Sequence, residues 1–119
     1  MTSASLPPHF IINLTGLRAL DFPLPSGFHI IDLSPPVRDE LRALLSTPGE
    51  DPPGFTACFL VANQIADLAL REIDDRTSDV LVKLPPIFFR PVCAALEDVG
   101  LTPWTIWQSP SGTAHFVEI

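Results

Sequence analysis

The sequence predicts a small α/β domain: a mainly parallel sheet of about five strands with a C-terminal antiparallel strand, and about three helices packed on it. Three observations predict it. Phe10-Ile11-Ile12 and Val80-Leu81-Val82 are apolar runs without alternation, the pattern of strands covered on both faces of a parallel sheet. Segments of helical period lie between the strand-like runs instead of being gathered at one end. The 14 prolines fall between the apolar runs, where they act as punctuation.

The first strand begins at His9 and runs through Phe10, Ile11 and Ile12 into Asn13-Leu14-Thr15-Gly16. Ligands in open α/β sheets bind beyond the carboxyl ends of the strands, near the point where strand order reverses, so this polar tip is a place to expect chemistry. Asn, Thr and Gly are also ordinary turn residues, and that reading stays open. Residues 17 to 20 allow a short helical turn before Pro23 and Pro25 stop it. Phe28-His29-Ile30-Ile31-Asp32-Leu33 is the second strand. Ser34-Pro35-Pro36 opens a helix, with Ser34 as cap, prolines in the first turn, and Asp39 and Glu40 toward the positive end. Val37, Leu41, Leu44 and Leu45 give that helix its apolar face.

Residues 46 to 54, rich in Pro and Gly, read as a loop that could serve as a lid. A second helix covers 56 to 73, with Leu60, Val61, Ile65, Leu68, Ala69 and Ile73 near helical spacing. Val80-Leu81-Val82-Lys83-Leu84 is a central strand whose oddity is its lysine. A third helix begins near Phe88 with Pro91 in its first turn and Phe89, Val92, Leu96 and Val99 on one face. Gly100-Leu101 reads as a left-handed C-cap with its hydrophobic follower. Trp104-Thr105-Ile106-Trp107-Gln108 is the fourth strand, Ser109-Pro110-Ser111-Gly112 a turn, and the run from His115 to Ile119 an antiparallel fifth strand. The order β, β, α, α, β, α, β, β is that of a Rossmann-like domain, and 119 residues suit one domain, 1–119.

Composition narrows the function. A net charge of −7, from 14 acidic against 7 basic residues, argues against wrapping a long nucleic acid, whose affinity comes largely from neutralised phosphates. A small phosphorylated ligand needs only a local cluster of donors. The apolar run from 55 to 66 is too short to span a bilayer, and residues 1 to 5 carry no basic side chain, so neither a membrane helix nor a secretory signal is expected and the cytoplasm is the default address. Cys58 and Cys93 sit among apolar neighbours, as buried thiols do. His9, His29 and His115 lack metal-like spacing, so no metal or cofactor is expected; His9 and His29 fall near strand starts and read as structural. Phosphate loops, dinucleotide fingerprints, nucleophile elbows and zinc-protease signatures are absent from the sequence.

What remains is Asn13, Thr15, Gly16 and Arg18 after the first strand and Lys83, Leu84, Pro85 and Phe88 after the third. In the common doubly wound order those strands are neighbours, so both groups would face one crevice. The Gly16 N–H, the Asn13 amide, the Thr15 hydroxyl and the Lys83 ammonium would together suit a phosphodiester. Two alternatives stand beside this: Lys83 lying along the sheet with its charge in water, and Arg18 as a solvated turn residue. Trp104 and Trp107 could stack on a base, but also suit packing.

Ile12-Asn13-Leu14-Thr15-Gly16 resembles the N-h-T-G segment at a strand end of CARF domains, sensors of cyclic oligoadenylate in type III CRISPR antiviral defence. The chain is similar in size and layout to small stand-alone CRISPR-associated CARF-like ring nucleases. It departs from the pattern in Leu17-Arg18-Ala19, where a second glycine, a threonine and a lysine usually follow; Lys83 could supply the missing cation. The resemblance implies a homodimer gripping a cyclic oligoadenylate, cyclic tetra-adenylate favoured, across a two-fold axis. It also implies slow, metal-independent cleavage by 2′-hydroxyl attack. Lys83 and Thr15 would be catalytic, with Asn13, Leu14, Thr15, Gly16, Arg18, Lys83, Leu84, Pro85 and Phe88 holding the ligand. A binding module that sequesters the messenger uncut, and an interaction protein of the same fold without a small ligand, are the competing readings.

Overall fold

The computed structural model describes residues 9–18, 25, 27–46, 54–73, 75 and 77–119. The elements are β1 (His9–Leu14), β2 (Phe28–Ile31), α1 (Pro35–Leu45), α2 (Phe55–Glu72), β3 (Asp79–Val82), α3 (Pro86–Asp98), β4 (Thr102–Gln108) and β5 (Ala114–Glu118). They form the expected α/β architecture. One sheet has the order β2-β1-β3-β4-β5, parallel throughout except for the antiparallel β4–β5 pair. β1 is thus flanked by the strand that follows it and by the next one after two helices, which puts the reversal of strand order between β1 and β3.

Two faces of the sheet are built differently. On one, Ile12, Leu14, Val80 and Val82 pack with Leu41 of α1, Ile65 and Leu68 of α2, and Phe88, Val92 and Leu96 of α3. On the other, Ile11 and Leu81, both fully buried, cluster with Phe116 and with Phe28, Ile30, Trp104 and Ile106. Aromatic rings close this second face. Phe28 of the edge strand β2 meets Phe116 of the opposite edge strand at 4.8 Å between ring centroids, and Trp104 at 5.7 Å. Burial on both faces explains why β1 and β3 read as unbroken apolar runs.

Several boundaries differ from the sequence-based expectation, each for a local reason. β3 ends at Val82, so Lys83 stands just beyond the strand and is exposed. α3 starts at Pro86, two residues before the expected start, and Pro91 therefore lies inside the helix, where it denies Ile87 an acceptor bond. That earlier start turns Phe88, Val92 and Leu96 to the core and leaves Val99 38% exposed. In α2 the buried stripe is Cys58, Ala62, Ile65, Ala66, Leu68 and Ala69, while Leu60 faces outward. Ser34 makes no side-chain cap, and Asp39 and Glu40 lie beyond the first turn of α1; Glu40 instead accepts a hydrogen bond from Arg71 of α2 at 2.9 Å. β4 begins at Thr102 and includes Pro103, whose carbonyl accepts the Ile119 N–H at 3.0 Å.

Other features follow the expectation. Gly100 is left-handed at φ +85°, with Leu101 N–H donating to Leu96 O at 2.9 Å and Gly100 N–H to Glu97 O at 3.0 Å, the paired bonds of a Schellman cap. Cys58 and Cys93 are buried. Among the described residues no helix is long and apolar enough to cross a membrane. The proposed lid at 46 to 54 lies outside the described residues except at its ends, as does half of the short turn at 17 to 20, whose first two residues are non-helical.

Candidate functional site

The β1–β3 register pairs Leu14 with Val82, so Thr15 and Lys83 leave the sheet side by side at the reversal point. Everything at this end depends on how the chain turns at 15 to 17. Asn13 is 2% exposed, and both ends of its amide are used. Its Nδ2 donates to Leu17 O at 2.7 Å and to Asp32 Oδ1, beyond β2, at 2.8 Å. Its Oδ1 accepts from Thr15 N–H at 3.0 Å and from Thr15 Oγ1 at 2.6 Å. Thr15 Oγ1 in turn accepts the Leu17 N–H at 3.1 Å. Asn13 and Thr15 therefore satisfy one another and pin the turn, a buried polar network with every member paired.

Gly16 completes the turn at φ +79°, a conformation that disfavours a side chain. A Cβ there would also lie 3.1 Å from Cγ of Arg42 on α1, a contact tight enough that the arginine would have to give by a few tenths of an ångström. The turn thus projects Leu17 between two hollows. One, of about 290 Å³, is lined by Gly16, Leu17, Arg18, Arg38 and Arg42. The other, of about 380 Å³, is lined by Thr15, Leu17, Lys83, Leu84 and Pro85.

The residues expected to serve a ligand now have definite places. Thr15, Lys83, Leu84 and Pro85 come together around the second hollow, and Gly16 and Arg18 around the first. Asn13 is consumed in the turn. Leu14 and Phe88, each 1% exposed, are core residues whose side chains reach neither hollow; Phe88 packs beneath the sheet because α3 begins earlier than its sequence suggests.

Arg38 and Arg42 are the residues that sequence reasoning missed. They stand one helical turn apart on α1, next to but off the apolar stripe of Val37, Leu41 and Leu44, so an R-x-x-x-R spacing was available as a signal. Of the chain's 7 basic residues, Arg18, Arg38, Arg42 and Lys83 gather at this one end of the sheet. In a molecule of net charge −7 these four cations share one end of the sheet with the Asp32 carboxylate.

At the opposite end of the sheet His9 Nε2 contacts Asp79 Oδ2, and Asp79 Oδ1 accepts from the Trp104 indole at 3.1 Å. His9 also packs against the rings of Phe28 and Trp104, so this cluster ties β1, β3 and β4 together. His29 lies against Phe10, and Trp107, 52% exposed, against His115. Among the described residues no group of three or more His, Cys, Asp or Glu side chains could hold a metal ion. No known protein family, curated protein or solved structure matches this chain.

Proposed function

We propose that this protein binds a cyclic oligoadenylate in the hollow between Thr15 and Lys83 and cleaves it slowly, as a homodimer in type III CRISPR signalling. The observation that carries the reading is the side-by-side exit of Thr15 and Lys83 at the strand-order reversal, beside an open hollow. An ammonium there can sit against a phosphodiester, and apolar Leu17, Leu84 and Pro85 offer surface to a base or ribose. The resemblance of Asn13-Leu14-Thr15-Gly16 to the CARF strand-end segment supplies the ligand class.

In the proposed reaction a ribose 2′-oxygen forms a bond to the adjoining phosphorus while the bond from phosphorus to the 5′-oxygen breaks. The 2′ proton passes to water and the departing 5′-oxygen takes one up, leaving a 2′,3′-cyclic phosphate and a 5′-hydroxyl. Lys83 stabilises the charge that builds on the phosphorane, and Thr15, whose N–H and hydroxyl both donate to Asn13, acts through the shape of the turn that lines the hollow. The described residues lining this hollow include no carboxylate or imidazole to take the 2′ proton, which is consistent with slow turnover.

The test is titration and product analysis with labelled cyclic tri-, tetra- and hexa-adenylate. A ring at a hundredfold excess over its Kd should raise apparent stability by about 2.7 kcal/mol and be converted to linear fragments. Lys83→Ala should weaken that ring roughly tenfold or more and stop conversion without altering the melting curve of the free protein. Tight binding with the ring recovered intact would assign sequestration instead, and no binding of any ring removes the proposal.

A further inference from the structure

The arginine hollow on the other side of Leu17 has a composition of its own. Arg38 and Arg42 approach it from α1 and Arg18 from the β1 turn, about a space of 290 Å³. Like charges gathered about one small hollow repel one another. Among the described residues Arg38 and Arg42 form no ion pair. Arg71, by contrast, is held by Glu40, and Arg90 lies on an apolar groove between α2 and α3. The Arg42 stem lies against Gly16, where an added Cβ would come within 3.1 Å of its Cγ.

We propose that Arg38 and Arg42, together with Arg18, form a second phosphate site, and that one ligand with several phosphates straddles Leu17, with one phosphate at Lys83 and another at the arginines. The identity of that ligand as a cyclic oligoadenylate rests on the reading above; the arginine site itself does not. Guanidinium groups suit the task because their planar fork pairs with two phosphate oxygens at once. Size agrees. Each hollow alone is at the small end of ligand sites, about 300 Å³ and upward, whereas the two flanking one residue provide room for a dinucleotide portion.

The experiment uses two probes, inorganic pyrophosphate and cyclic tetra-adenylate, on the wild type, Arg38→Gln/Arg42→Gln and Lys83→Ala, with circular dichroism to confirm folding. Pyrophosphate should bind the wild type, lose roughly tenfold in affinity for each guanidinium removed, and stay within about twofold in Lys83→Ala. Cyclic tetra-adenylate should weaken in both variants. Should Arg38→Gln/Arg42→Gln fail to fold, Arg38→Lys and Arg42→Lys keep the charge but lose the fork, and each should still weaken pyrophosphate. The arginine site is overturned if the wild type does not take pyrophosphate or if the arginine variants bind it as well as the wild type does. The straddling ligand is overturned if cyclic tetra-adenylate is indifferent to Arg38 and Arg42. Arginine-dependent pyrophosphate binding with no ring bound would leave this site standing and remove only the ring reading.

Discussion

Asn13 sets the geometry of the candidate site through four hydrogen bonds, to Thr15, Leu17 and Asp32, and its removal takes the acceptor away from the buried Thr15 N–H and hydroxyl. Asn13→Ala should therefore cost about 2 to 4 kcal/mol of stability, read from denaturant midpoints. The glycines at 16 and 100 offer a paired comparison. Both have positive φ, but a Cβ at Gly100 meets nothing within 4 Å, whereas at Gly16 it presses on Arg42. Gly100→Ala should cost about 1 to 2 kcal/mol from backbone strain alone, and Gly16→Ala should cost more and weaken anion binding as Arg42 shifts. Cys93 carries a pH signature. Burial first, and the neighbouring Glu97 carboxylate second, push its thiol from 9.0 up to about 11. Between those values the unfolded chain releases the proton and the folded one keeps it, so this contribution to stability is complete below pH 9.0 and declines as pH rises toward about 11. Unfolding of the wild type and Cys93→Ala at a series of alkaline pH values should show that decline only in the wild type.

At the scale of elements, what could be read from the sequence was whatever depends on a short contiguous run. The Schellman cap at Gly100-Leu101 needs only the helix end and the residues that follow it, and the buried runs of β1 and β3 announce a strand covered on both faces. The pairing of the Thr15 turn with Lys83 was legible for the same reason: once the strands are known, the usual strand order brings their ends together. The spacing of Arg38 and Arg42 pairs them on α1 but does not place them at the site, because which side of α1 meets the strand ends is decided by how Leu41 docks into the shared core. Asp32 as the far anchor of Asn13 was hidden too, since it depends on the β1–β2 register. Pro91 shows a different limit. Local preference places proline in a first turn, yet packing of Phe88, Val92 and Leu96 holds α3 together through it. Replacing it restores a helical N–H, so Pro91→Ala should raise the melting temperature.

For the whole molecule, the layout of the two sheet faces decides where stability resides. Helices supply the packing on one face; on the other, Phe28, Trp104 and Phe116 join strands from both edges of the sheet over Ile11 and Leu81. Phe116→Ala should accordingly cost about 3 to 5 kcal/mol and shift Trp104 emission to longer wavelength, measured together in one denaturant titration. The turn described above has a further consequence. Among the described residues the bonds that pin it join residues 13 to 17 and Asp32, and none of these bonds involves Lys83, Arg38 or Arg42. Lys83, Arg38 and Arg42 are thus carried by segments other than the turn itself, so those three positions can be exchanged in sequence space to retune what is recognised while the loop beside them stays intact.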